Sequence, residues 1–200
     1  MEFATRLDDA RAVALRVEAL QQQGQVAGTI LSSDLLTADG LPTNASSPVL
    51  WAPHMLVFSG TSSLENKERF FKYLYYTGVS PDQLRNILRY EGRYGFTAGL
   101  FGFERTIKGL SVDPKPITAA EVEQELRLYS RYCESFSVTQ AEEIPLAYLV
   151  SRVNEPDEFS NLDRWYQRDA GERVGEFKLY RLRLRDNYAG LNKSKGEMAR

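Results

Sequence analysis

Apolar positions recur at helical spacing near the start of the chain. Ala10, Val13, Ala14, Val17 and Leu20 fall on one face and Gly24 supplies a stop, which predicts a helix over 7–23. The period then changes. Val26 to Leu31 is a short β-branched apolar run, read as a buried parallel strand that ends at Ser32-Ser33-Asp34. Residues 37–48 are rich in Thr, Ser, Asn, Gly and Pro and read as loop. Extended structure restarts at Pro48 to Trp51 and is expected to continue through Met55 to Phe58. Ser62 and Glu65 are spaced as a capping box before a helix at 64–77. Ser80-Pro81-Asp82-Gln83 opens another helix, with Leu84, Ile87 and Leu88 on its buried face.

The middle of the chain is less regular. Gly92, Gly95, Gly99, Gly102 and Gly109, interleaved with Tyr94, Phe96, Phe101 and Phe103, predict an irregular aromatic segment. Thr118 to Glu121 forms the clearest capping box, and the helix behind it should bury Val122, Leu126, Tyr129 and Cys133. Pro145 to Val150 reads as a second apolar strand, 154–175 as a polar loop and 176–185 as a last strand. In that last strand Tyr180, Leu182 and Leu184 alternate with Arg181, Arg183 and Arg185. The arginines suit either an edge strand guarded by charge or a face for an anionic ligand.

Helix–strand alternation in the first half implies βαβ crossovers. The fold class expected is α/β: a three-layer, Rossmann-like sandwich with a mainly parallel sheet and an irregular Gly/aromatic segment laid over it. One soluble domain over 1–186 and a loose polar tail at 187–200 complete the expectation.

Composition narrows the function classes. The 200 residues are 42% hydrophobic and 26% charged, the balance of a globular chain. Net charge is −2, from 25 basic and 27 acidic residues, which speaks against a nucleic-acid partner. Cys133 is the only cysteine and His54 the only histidine, so an internal disulfide, a cysteine-based zinc site and a two-histidine metal motif are all excluded. No stretch approaches the ~18 apolar residues of a membrane span, and Met1 to Arg6 lacks the apolar core of a signal peptide.

Candidate chemistry is sparse. His54 lies just past an expected strand in Trp51-Ala52-Pro53-His54, and Asp34 ends the first strand. Both suit a site beyond strand ends, and His54 equally suits a structural hydrogen bond. Gly60-Thr61-Ser62-Ser63, before a helix, offers backbone N–H groups to an anion, although Thr61 and Ser62 also suit plain capping. It has neither the lysine nor the spacing of a P-loop. There is no Gly-x-Ser-x-Gly elbow, and Cys133 falls on an apolar helix face. The candidate ligand-binding residues are therefore Asp34, Trp51, His54, Thr61 and Ser62, with no catalytic residue, metal or cofactor assigned.

The order of segments resembles a known group. "VAGTILSSD", "LPTNASSPVLWAPH", "SLENKERFFKYLYYTGV" and "FSNLDRWYQRDAGERVGEFKLYRLRLR" look like the soluble C-terminal region of bacterial multi-pass membrane proteins related to GT-C class glycosyltransferases. Leu41-Pro42-Thr43, Trp51 with His54, and Arg69-Phe70-Phe71 carry the likeness. In that class the catalytic acids sit in loops between membrane helices, so the resemblance assigns no catalytic residue here. It implies an accessory, extracytoplasmic domain of a membrane-anchored protein. Its partners would be its own membrane-spanning region and a polyprenyl-linked sugar or glycan acceptor. A free-standing small-molecule enzyme at Asp34 and His54, or an interaction module presenting Phe96, Phe101 and Phe103, are the competing readings.

Overall fold

Strands from the N-terminal and C-terminal parts of the chain meet in one sheet. The computed structural model describes residues 2–25, 27–57, 60–89, 94–102, 105 and 116–186. The chain divides into two compact units, Met1–Leu50 with Phe136–Arg200, and Trp51–Ser135.

In the first unit, helix α1 (Glu2–Gln22) buries the expected face of Ala10, Val13, Ala14, Val17 and Leu20. Strand β1 (Thr29–Ser32) follows, and Val26 of the expected strand lies outside the described residues. Residues expected as loop fold instead into α2 (Leu35–Gly40) and a 3₁₀ turn at Leu41–Thr43. Asp34 nucleates α2, its carboxylate accepting from Thr37 N–H at 3.3 Å and from Thr37 Oγ1 at 2.6 Å, while Leu41 is fully buried. A local cap and one anchoring leucine outweigh a loop-like composition.

The rest of this unit comes from the C-terminal segment. It comprises α7 (Val138–Glu143), β2 (Leu146–Arg152), α8 (Ser160–Trp165), β3 (Tyr166–Arg168), β4 (Glu172–Val174) and β5 (Phe177–Leu184). The span 154–175, expected as loop, therefore holds α8, β3 and β4. The sheet runs β1-β2-β5-β3, with β4 also on β5. Only β1 and β2 pair in parallel; β2–β5, β3–β5 and β4–β5 are antiparallel. The mainly parallel, Rossmann-like sheet is thus corrected to an open mixed sheet in an α/β fold. The reason lies in the connections: β4 and β5 are joined by a two-residue turn at Gly175-Glu176, Gly175 taking φ +59°, and so short a link permits only an antiparallel return.

β5 is not an edge strand. It pairs with β2 on one side and with β3 and β4 on the other, so its arginines do not guard an edge. They are matched by acids and carbonyls: Arg181 with Asp169 at 2.6 Å, Arg183 with Asp186 at 3.3 Å, and Arg185 Nε with the Asp163 carbonyl at 2.9 Å. The tail from residue 187 lies outside the described residues.

The second unit is helical. Pro53–Leu56 forms a 3₁₀ turn where extended chain was expected, because Pro53 presets the dihedral of its first residue and cannot donate to a ladder; Phe58 lies outside the described residues. Then come α3 (Ser63–Tyr76), α4 (Pro81–Arg89), α5 (Tyr94–Phe101) and α6 (Ala119–Ser135). The caps form where the spacing places them. Ser62 Oγ accepts from Glu65 N–H at 3.1 Å, Ser80 and Gln83 exchange hydrogen bonds of 2.8 and 3.2 Å, and Thr118 and Glu121 exchange bonds of 2.9 and 3.2 Å. On α6, Leu126 and Tyr129 are buried, whereas Val122 and Cys133 are half-buried.

Helix α5 occupies the segment expected to be irregular, and Gly92, Phe103 and Gly109 lie outside the described residues. Packing overrides the glycines here. The fully buried Phe70 stands 4.4 Å from the Trp51 ring and 5.9 Å, edge to face, from Phe96, and α5 closes over it. Phe71 packs on Tyr129 of α6 at 5.3 Å.

Candidate functional site

Helix α3 carries a polar residue on its apolar face. Asn66 falls one turn before Phe70 and is only 5% exposed. Trp51 Nε1 donates to its Oδ1 at 2.9 Å in a buried bond. An indole N–H can only donate, so the atom it meets is the carbonyl oxygen and the amide orientation is fixed. The Asn66 amide nitrogen then has no hydrogen-bond partner among the described residues.

Asn66 lines a cavity of about 510 Å³. One side is the start of α3, with Thr61, Ser63 and Lys67; the other is the end of α5, with Gly99, Leu100 and Phe101. Met55 and Leu56 of the 3₁₀ turn add apolar surface, and Arg105 adds a second cation. Both cations are held in place. Lys67 Nζ meets Glu125 Oε1 at 2.8 Å; Arg105 meets Glu121 Oε1 at 2.6 Å and the Pro116 carbonyl at 2.9 Å. The Arg105 guanidinium and the Thr118 cap hold the Glu121 carboxyl down at about 2, so it is ionised at any physiological pH. Gly99 allows the close approach of α5: a Cβ there would stand 2.8–2.9 Å from three atoms of the Phe70 ring.

The residues expected at a site separate into two groups. Trp51, His54, Thr61 and Ser62 belong to the second unit and Asp34 to the first. Thr61 lines the cavity, Trp51 orients Asn66, and Ser62 caps α3; His54 sits in the turn that supplies Met55 and Leu56. Asp34 is the cap of α2. Asn66, Lys67, Gly99 and Arg105 were missed. The signal for Asn66 was legible as a lone amide in line with Phe70 on an apolar helix face. Those for Lys67 and Arg105 were not, since each lies among many charged residues. Phe96 packs on Phe70, and Phe101 lines the cavity.

The first unit holds a second concave place, built of charge. Arg168 grips Asp163 at 2.7 and 2.8 Å and Asp157 at 2.5 Å, and it stacks between Phe159 and Tyr180 at 5.4 and 5.0 Å. Burial alone would raise the Asp157 carboxyl, but hydrogen bonds from Tyr180 and Arg168 outweigh it and leave it below the usual range. Asp169 is lowered in the same sense, with Arg181 and the Gly171 N–H overcoming burial. These groups satisfy one another, so the cluster is a clasp between β3, β5 and α8.

Among the described residues no group of three or more His, Cys, Asp and Glu side chains could hold a metal ion, and no helix is long and apolar enough to cross a membrane. Comparison with protein-family models, curated proteins and solved structures finds no match to this chain.

Proposed function

We propose that this chain is an extramembrane accessory domain of a multi-pass membrane protein resembling GT-C glycosyltransferases, and that it binds a ligand without transforming it. The observation that carries the binding role is the cavity beside α3. Its polar groups include the Asn66 amide, oriented by Trp51, and the Thr61 and Ser63 hydroxyls, and its cations are tied to Glu125 and Glu121. Such groups can orient and hold a ligand, whereas proton transfer needs a group that titrates near working pH. The membrane context and the candidate partners, a glycan acceptor or a polyprenyl-linked sugar, rest on the segment resemblance described above. In this reading the domain lies on the extracytoplasmic side.

The test is fractionation of native cells, probed with an antibody raised to this chain. A band much larger than 22.7 kDa in the membrane fraction supports the reading. A band near that mass in the soluble fraction overturns it and makes His54 the first position to mutate for activity.

A further inference from the structure

Two helix ends of opposite polarity line the cavity beside α3. On one wall, Ser62 Oγ takes the Glu65 N–H, and the first intrahelical bond runs from Asn66 N–H to the Ser62 carbonyl at 2.9 Å. The Ser63 and Leu64 N–H groups lie ahead of that bond. One turn on, Asn66 is 5% exposed, its oxygen is committed to Trp51 and its amide nitrogen has no acceptor among the described residues. The opposite wall is the C-terminal end of α5. Gly102 N–H closes that helix on the Ala98 carbonyl at 2.8 Å, so the carbonyls of Gly99, Leu100 and Phe101 come after the last intrahelical bond. One wall therefore donates and carries the partial positive end of a helix, and the other accepts and carries the partial negative end. The two cations leave no net charge between them, since Lys67 is matched by Glu125 and Arg105 by Glu121.

An anion in this space would face the carbonyls of α5, and a cation would face the N–H groups of α3. A neutral hydroxyl gains little from either helix end. A ligand with one charge of each sign matches both walls and the absence of net charge. We infer that this cavity binds a small zwitterion of amino-acid chemistry with an apolar side chain. The carboxylate accepts from the Asn66 amide and the free N–H groups at the start of α3, and the ammonium donates to the carbonyls that end α5. The side chain lies on Met55, Leu56 and Phe101, which line the same space. A volume of about 510 Å³ is that of a small-ligand site. The inference rests on the cavity being a ligand site, and it stands or falls independently of the membrane context, which fractionation tests.

The experiment titrates the 200-residue chain with L-phenylalanine, 3-phenylpropionate and 2-phenylethylamine at neutral pH and fixed ionic strength. The three share a ring and a short carbon chain; the second lacks the ammonium and the third the carboxylate. NMR follows the Asn66 side-chain amide and the backbone amides of Ser63, Leu64 and Phe101. Phenylalanine should shift signals on both walls, and losing either charged end should weaken binding by about tenfold or more, the scale of a hydrogen bond to a charged group. Asn66→Asp keeps the acceptor for Trp51 and turns the donor into a carboxylate; Thr61→Glu places a negative charge on a half-exposed residue of the donor wall. Each should weaken phenylalanine by about tenfold or more, because a like charge then opposes its carboxylate. Circular dichroism confirms the fold of both, and Thr61→Glu decides alone if Asn66→Asp does not fold. Binding of 3-phenylpropionate or 2-phenylethylamine as tightly as phenylalanine keeps the cavity as a ligand site but overturns the zwitterion. Unchanged affinity in the folded variants, or no shift with phenylalanine, overturns the inference as well.

Discussion

Adding one methyl group at Gly99 should destabilise the second unit, although the same change on an exposed helix would stabilise it. Alanine is favoured over glycine in a helix interior by about 1 kcal/mol. Gly99 lies within α5, but a Cβ added at this position would stand 2.8–2.9 Å from Cδ1, Cε1 and Cγ of Phe70. Carbon pairs settle at about 3.5–4.0 Å. The Phe70 ring has little room to yield, because it is fully buried with Trp51 at 4.4 Å and Phe96 at 5.9 Å. Overpacking of this kind costs about 1–3 kcal/mol, so the net effect of Gly99→Ala is a loss of up to about 2 kcal/mol. The chain has two tryptophans, and in a Trp165→Phe background Trp51 reports on its own unit. Urea unfolding followed by Trp51 fluorescence should show a lower midpoint for Gly99→Ala. Phe70→Leu removes the obstructing ring, and in that background Gly99→Ala should be neutral or stabilising, a coupling of at least about 1 kcal/mol. If Gly99→Ala alone raises the midpoint, or if Phe70→Leu fails to reverse its sign, the close approach of α5 to Phe70 is refuted.

Three further outcomes follow from particular contacts. Tyr166 Oη accepts from Leu146 N–H at 3.2 Å and donates to the Ala141 carbonyl at 3.0 Å, both buried, so Tyr166→Phe should cost about 1–3 kcal/mol in urea unfolding. A loss within error of zero would show that water replaces the hydroxyl. Lys67→Met leaves Glu125, 9% exposed, without its cation; it should cost up to about 3 kcal/mol, and the double change with Glu125→Met should recover most of that. An additive double variant would contradict the pairing. Asp157 and Asp169 are lowered in the folded state against an ordinary value of about 3.9 when unfolded, so the folded chain releases those protons more readily. Their contribution is full above about pH 5 and is lost as pH falls through the folded values below about 4. The urea midpoint should drop between about pH 7 and about pH 3, and less steeply in Asp157→Asn; equal slopes would remove the clasp from the account.

The local signals were strong where one residue type carries a backbone-level instruction. Ser62, Ser80 and Thr118 each start a helix because a side-chain oxygen meets an N–H three residues on, a contact written within four positions. The face of α1 and the alternation of β5 were legible because apolar positions repeat with a period the chain itself displays, and β1 and β2 because each is a short unbroken apolar run. Strand direction was not legible, because β5 lies between β2 and β3 through turns and pairings that no window of sequence contains.

The candidate site divides in the same way. Trp51 and His54 were singled out beside the end of an expected strand and Thr61 and Ser62 at a helix start, and three of the four have a traceable part in the cavity or its frame. Asp34 could not be excluded from that group by its position at a strand end, and only its bonds to Thr37 make it a cap. The cavity itself depends on α5, whose glycines read as irregular structure until Phe70 is seen beneath Gly99. Periodicity and capping are properties of neighbours along the chain and are determined by sequence alone. Which amide is left with an unused donor, and which cation stands beside it, depends on residues brought together from 51 to 125, and only the tertiary structure decides that.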